Sequence, residues 1–139
     1  YLANISACPD LLFADCKVSN NFARGVLIKT KRAEVCGCTF ENTHSAAVRV
    51  SAEESWGEGI SAEDVRIHDN VFINCARQVG PASAVAAFTD SKTGEGEQIG
   101  SVRVYNNTVI GSGDVPDFYL KNVREPRIDD NVSAYAAKK

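Results

Sequence analysis

The sequence predicts an all-β fold, a right-handed parallel β-helix of about five coils that forms part of a longer rod. Three observations lead there. One skeleton, x-x-φ-x-x-N-x-φ with φ apolar, recurs along the chain and its shortest spacings are 22 and 24 residues. A second apolar stretch in period-2 alternation lies between consecutive copies. No segment reads as an amphipathic helix. A unit of that length built from short strands cannot bury its apolar face alone and must stack on its neighbours.

Taken in order, the copies are 11–18, 33–40, 65–72, 102–109 and, more weakly, 126–133. The shared polar position holds Cys16, Cys38, Asn70, Asn107 and Asn131. The stretches between copies are 26–28, 48–50, 86–88 and 118–120, so each repeat holds at least two short strands. Copies start 22, 32, 37 and 24 residues apart, and the longer intervals therefore contain insertions, at 51–64 and 90–101 of a single domain spanning 1–139. Leucine-rich repeats share the unit length but require a leucine lattice that is absent here.

Stacking coils about 4.8 Å apart puts Phe13, Val35, Ile67, Val104 and Ile128 in one inward column and Val18, Phe40, Phe72 and Val109 in another. The asparagine column is expected to be structural: Asn tolerates a left-handed turn, and stacked side-chain amides can hydrogen-bond from coil to coil. Cysteine fills the same slot without those bonds, which makes Cys16 and Cys38 adjacent buried thiols. The outward column Arg66, Arg103, Arg127 is continued by Glu34 and flanked by Asp69, Asp129 and Asp130, a charge-balanced, solvated face rather than an anion site.

Composition narrows the function classes. The 139 residues are 44% hydrophobic and 24% charged, which argues against disorder. A net charge of −3 with interleaved signs lacks the basic footprint of a nucleic-acid binder. No apolar run approaches the roughly 18 to 20 residues that span a bilayer, so no membrane partner is expected. The chain lacks methionine even at position 1, suggesting a processed chain or a fragment, and its five cysteines cannot all pair internally. His44 and His68 lie on different coils without a Cys/His partner at ligand spacing, so neither a metal nor another cofactor is expected. Because the terminal coils would leave strand edges unpaired, self-association through open β-helix ends is expected as well.

In solenoids, function sits on insertions and on one exposed strand face. The two insertions follow the second strand of successive coils and should project side by side. Beside them, outward positions form the columns Leu27, Arg49, Ala87, Tyr119 and Lys29, Ser51, Thr89, Lys121. Trp56, the single tryptophan, shares the first insertion with Glu53, Glu54 and Glu58. A flat apolar plate beside carboxylates suits a sugar; equally, Trp56 could pin the loop to the rod while the glutamates face water. Ser51 to Glu54 also fits a capping box for a short helical turn. Lyase-type calcium chemistry would need Asp90 and Glu58 to converge, which spacing does not establish.

Residues 20–75 carry a resemblance. NNFARGVLIKT, VCGCTFENTHSAAVRV and ESWGEGISAEDVRIHDNVFINC resemble the later coils of the β-helical α-1,3-galactosidases of glycoside hydrolase family 110. The most specific elements are Ala23-Arg24-Gly25 and the Trp56/Glu58/Gly59 loop. The resemblance implies an oligosaccharide or polysaccharide partner, an exo-acting glycoside hydrolase, and an extracellular or periplasmic location. It also implies an acidic catalytic pair on earlier coils in a Gly-Asp-Asp-Ala-like segment, which this chain lacks. Catalytic residues are therefore unassigned, and Arg24, Arg49, Trp56 and Glu58 are the candidate substrate-binding residues. A non-catalytic glycan-binding or structural β-helix and a polysaccharide lyase are the alternatives.

Overall fold

A computed structural model describes residues 5–57, 59–77, 83–89, 99–111 and 114–135. Among the described residues, fourteen short strands form three parallel sheets. Sheet A contains β1 (Leu11–Ala14), β4 (Arg32–Cys36), β7 (Asp64–His68), β10 (Ile99–Tyr105) and β13 (Val123–Asp129), stacked in that order. Sheet B stacks β2 (Lys17–Ser19), β5 (Thr39–Glu41), β8 (Val71–Ile73), β11 (Thr108–Gly111) and β14 (Val132–Tyr135). Sheet C stacks β3 (Val26–Ile28), β6 (Val48–Val50), β9 (Val85–Ala87) and β12 (Phe118–Leu120). The chain is thus a parallel β-helix, and each repeat skeleton is two strands broken at the asparagine position rather than one. Among the described residues no helix is long and apolar enough to cross a membrane.

The inward columns have the expected register. Phe13 pairs with Val35, Val35 with Ile67, Ile67 with Val104 and Val104 with Ile128. In sheet B, Val18, Phe40, Phe72 and Val109 follow one another. Phe40 and Phe72 are fully buried and stack with ring centroids 5.3 Å apart. Strands of three residues are too short to persist singly; burying such side chains in continuous columns contributes about 1.5–3 kcal/mol for each large one and makes the coils mutually dependent.

The corner between sheets A and B is held by a ladder. The Asn70 N–H donates to Asn107 Oδ1 at 3.0 Å, and the Asn107 N–H to Asn131 Oδ1 at 2.9 Å. Each side-chain amide also donates to a carbonyl one coil earlier: Asn70 to Val35, Asn107 to Ile67 and Asn131 to Val104. Cys38 enters the ladder through its N–H, 3.0 Å from Asn70 Oδ1. The cysteines are not idle, contrary to expectation, because the Cys16 N–H lies 3.5 Å from Cys38 Sγ and that thiol donates to the Cys36 carbonyl. Sulfur makes a weaker version of the same bonds.

The left-handed residue of this corner is the one before the ladder, not the ladder residue itself. Asp15, Gly37, Asp69, Asn106 and Asp130 have φ between 53° and 64°. Aspartate, asparagine and glycine are the residues that adopt this conformation readily. A second asparagine column, Asn20, Asn42 and Asn74, repeats the device at the corner after sheet B, with φ of 56°, 54° and 49°.

Two register details differ from expectation. In sheet C, Ala86 and not Ala87 lies in the Arg49–Tyr119 column, and Ala87 faces inward opposite Val50 and Leu120. The following column accordingly takes Phe88 in place of Thr89, since the Phe88 N–H donates to the Val50 carbonyl. A run of small apolar residues carries no alternation from which its phase can be read. Residues 99–101 are strand and not insertion, because Ile99 is buried and pairs with Val123. In the outward column of sheet A, Arg66 lies 3.0 Å from Glu34 and Arg103 3.2 Å from Asp64.

Replacing Asn107 by Ala should lower unfolding free energy by about 1–3 kcal/mol, the cost of leaving buried backbone partners unsatisfied. Urea denaturation measures this directly, and Asn70→Ala should behave alike. An unchanged midpoint for both would contradict the ladder.

Candidate functional site

The outward face of sheet C gathers three cations onto one carboxylate. Gly25 lets the chain enter β3 against the next coil: a Cβ there would meet the Ala47 carbonyl oxygen at 2.5 Å and the Phe40 ring at 2.9 Å. This close approach places Arg24 just before β3, while Lys29 follows β3 and Arg49 occupies the outward middle position of β6. After β6 the chain stays tucked against the coil, with Ser51, Ala52 and Glu53 all buried.

Glu53 is 5% exposed and its carboxylate is ringed. Arg24 Nη2 lies 2.9 Å from Oε1, Lys29 Nζ 2.9 Å from Oε2 and Arg49 Nη2 3.7 Å from Oε1. Burial pushes the Glu53 carboxyl up, but the Lys29 hydrogen bond and the charges of Arg24, Lys29 and Arg49 outweigh it and hold the group below the usual carboxylate range. The Arg49 guanidinium also lies over the Phe88 ring, 4.2 Å from its centroid, and Phe88 meets Tyr119 edge-on. Stacking on an aromatic face fixes the arginine further.

Of the four candidate binding residues, the fold brings Arg24 and Arg49 together on Glu53. Trp56 ends a single 3-10 turn, Glu54–Trp56, and its N–H donates to the Glu53 carbonyl at 3.0 Å. Its side chain is 76% exposed, so it does not act as a buried pin. The Ser51 hydroxyl donates to the adjacent Ala52 carbonyl at 3.3 Å. Glu58 lies outside the described residues, as do Asp90 and most of the second insertion. The carboxylate that orients the arginines is Glu53, which the sequence places merely among loop acids, and Lys29 completes the group. Cations flanking β3 and a third on the outward face of β6 are the signal that a counter-charge must sit among them. The loop returns over Lys29: a Cβ on Gly59, whose φ is +83°, would meet the Lys29 side chain at 3.0 Å.

A second polar group lies on the outward face of sheet A. Glu34, Cys36 and His68 present ligand-capable atoms within 4.8 Å of one another. Spacing along the chain gave no reason to expect this, because Cys36 and His68 are 32 positions apart and meet only through the register of β4 with β7. Burial pulls the His68 imidazole down, but its hydrogen bonds to Asp69 and Glu34 raise it above its ordinary value.

Fold and face together define a short parallel β-helix that displays a cationic group and an exposed tryptophan on one side. Among known proteins the chain is 31% identical over 124 residues to α-1,3-galactosidase A of Bacteroides fragilis, and 30% identical to that of a second strain. It is also 35% identical over 75 residues to α-1,3-galactosidase B of Phocaeicola vulgatus. The first match covers 86% of this chain, yet the chain spans only 20% of that galactosidase; for the third the shares are 52% and 12%. No family model matches the chain, and no solved structure does.

Glu53→Ala should leave three cations without their counter-charge and destabilise the chain, though by less than the cost of about 3–5 kcal/mol for a fully buried pair, because Arg24 and Lys29 keep solvent contact. The isosteric Glu53→Gln tests the charge alone. A carboxyl held below its ordinary 4.5 in the folded chain contributes stability that is complete above that pH and is lost as pH falls through the depressed value. The Tm gap between wild type and Glu53→Gln should therefore be largest near neutrality and close as pH drops below 4.5. A gap that is constant down to the acid limit would contradict the ion cluster.

Proposed function

We propose that this chain is a stretch of a galactosidase-like glycoside hydrolase that removes terminal galactose, with its catalytic acidic pair at least partly outside these residues. The observation that carries the proposal is the similarity over 86% of the chain to proteins named α-1,3-galactosidase. The chemistry of the candidate face agrees with it. A general acid must hold a proton near neutral pH and release it to the leaving oxygen. Glu53, the buried carboxylate of this face, is instead kept ionised, and Arg24 and Lys29 engage both its oxygens. Its role is to hold cations, which argues against Glu53 as the general acid. An inverting pair would stand roughly 6.5–9.5 Å apart, a retaining pair about 5–5.5 Å.

These coils then contribute substrate binding. The exposed Trp56 ring offers an apolar plate for the flat face of a sugar, and such pockets are completed by a few placed polar groups. Arg24, the most exposed of the three cations around Glu53, and Arg49 supply N–H donors for hydroxyl groups, with Glu58 as a further acceptor.

Trp56→Ala should abolish binding of galactose-terminated oligosaccharides while leaving Tm within a degree or two. Because Trp56 is the single tryptophan, its fluorescence reports the contact directly. Sugars that never perturb that fluorescence would remove this loop from the substrate site. The hydrolase reading has its own assay: a longer protein carrying the neighbouring coils should release galactose from an aryl α-galactoside, and this chain alone should not. A longer protein that binds such glycans without cleaving them would be a glycan-binding β-helix instead.

A further inference from the structure

We propose that Cys36, His68 and Glu34 form a binding site for a divalent transition metal of the zinc class, on the face of the solenoid away from the Glu53 group. The three residues come from two neighbouring strands. Glu34 and Cys36 are two apart on β4 and so project from the same face, and Cys36 lies directly opposite His68 of β7. Their candidate ligand atoms all fall within 4.8 Å of one another, and His68 Nε2 is 2.9 Å from Glu34 Oε1. Zinc bound to sulfur at about 2.3 Å and to nitrogen and oxygen at about 2.0–2.2 Å needs ligand atoms roughly 3.3–3.8 Å apart. A small opening of the His68–Glu34 pair and a thiol rotation reach that arrangement.

The surroundings supply a second, independent observation. A histidine that ligates a metal through one nitrogen typically donates its other N–H to a carboxylate, which fixes the tautomer and the ring plane. His68 Nδ1 is 2.6 Å from Asp69 Oδ2, leaving Nε2 facing Glu34 Oε1. Tyr105 of the next coil stacks on the ring at 4.7 Å with the planes 10° apart, which holds its orientation from above. Arg66 Nη2 engages Glu34 Oε2 at 3.0 Å, so the remaining oxygen, Oε1, is the one presented to the site.

The donor set selects the metal. One thiolate, one imidazole and one carboxylate suit zinc or cobalt and do not suit magnesium or calcium, which take oxygen ligands. Binding expels the His68 Nε2 proton and the Cys36 thiol proton to solvent, and the metal takes their place. Three protein ligands leave a fourth position for water.

Cobalt(II) chloride and zinc chloride added to the purified chain test this. One equivalent of cobalt should produce a thiolate-to-metal charge-transfer band in the near ultraviolet with tetrahedral visible bands, and zinc should displace it. Cys36→Ser and His68→Gln should each abolish the band, while Cys8→Ser keeps it. Asp69→Asn should weaken affinity about 10–100-fold, the usual effect of removing a partner of a ligating histidine. Since a variant could unfold, the wild-type chain provides a further readout: zinc should slow alkylation of Cys36 at least tenfold relative to Cys8, as mapped by mass spectrometry. Absence of the thiolate band, or a band that survives Cys36→Ser, would overturn the proposal, as would equal alkylation of Cys36 with and without zinc.

Discussion

The corner ladder running through Cys16, Cys38, Asn70, Asn107 and Asn131 is the interaction on which the remaining structure depends. A stack of strands only three to seven residues long has little to hold one coil in register with the next. Apolar columns tolerate sliding, because one valine packs on another much as on an isoleucine. The ladder does not. Asn70 and Asn107 each accept from the coil before and donate to a carbonyl of that coil, while their backbone N–H groups donate to the asparagine of the coil after. A slip by one residue would flip every side chain between core and solvent and would also leave these buried groups unpaired.

Both polar groups on the surface are consequences of that register. With Leu27 opposite Arg49, the cations at the two ends of β3 and in the middle of β6 fall within reach of one carboxylate three residues beyond Val50. The cost of burying Glu53 is offset only because three partners surround it, and removing one partner from a buried ion group typically costs more than the group contributes relative to apolar residues. Such a cluster fixes geometry more than it adds stability. On sheet A the same register sets Cys36 beside His68 and lets Glu34 reach the imidazole diagonally.

How far the sequence foretold this depends on how distinctive each residue is. Phenylalanine, valine and asparagine at repeating positions mark columns plainly, and those columns are present as read. The run Ala84-Val85-Ala86-Ala87 has no such contrast, and its phase emerged only from pairing with Val48 and Val50. The sequence points the left-handed turn at the ladder asparagine, which is an equally good candidate for turn and ladder, but the aspartate, asparagine or glycine before it holds the turn. Within the candidate site, Arg49 was legible from its outward strand position, and Arg24 through the resemblance carried by Ala23-Arg24-Gly25. Glu53 was not, since its burial follows from the path of the chain after β6 rather than from any local pattern. Glu34, Cys36 and His68 were hidden by the insertion that separates β6 from β7.

Native-state hydrogen exchange tests the ladder most directly, because the backbone amides of Cys38, Asn70 and Asn107 sit at a bend and have side-chain oxygens as acceptors. If the ladder fixes the register, these amides should be protected to the same free energy as Val35 and Phe40 in the core and should exchange only when the coils unfold together. Exchange at the rate of exposed loop amides, with the neighbouring strands still protected, would contradict that account.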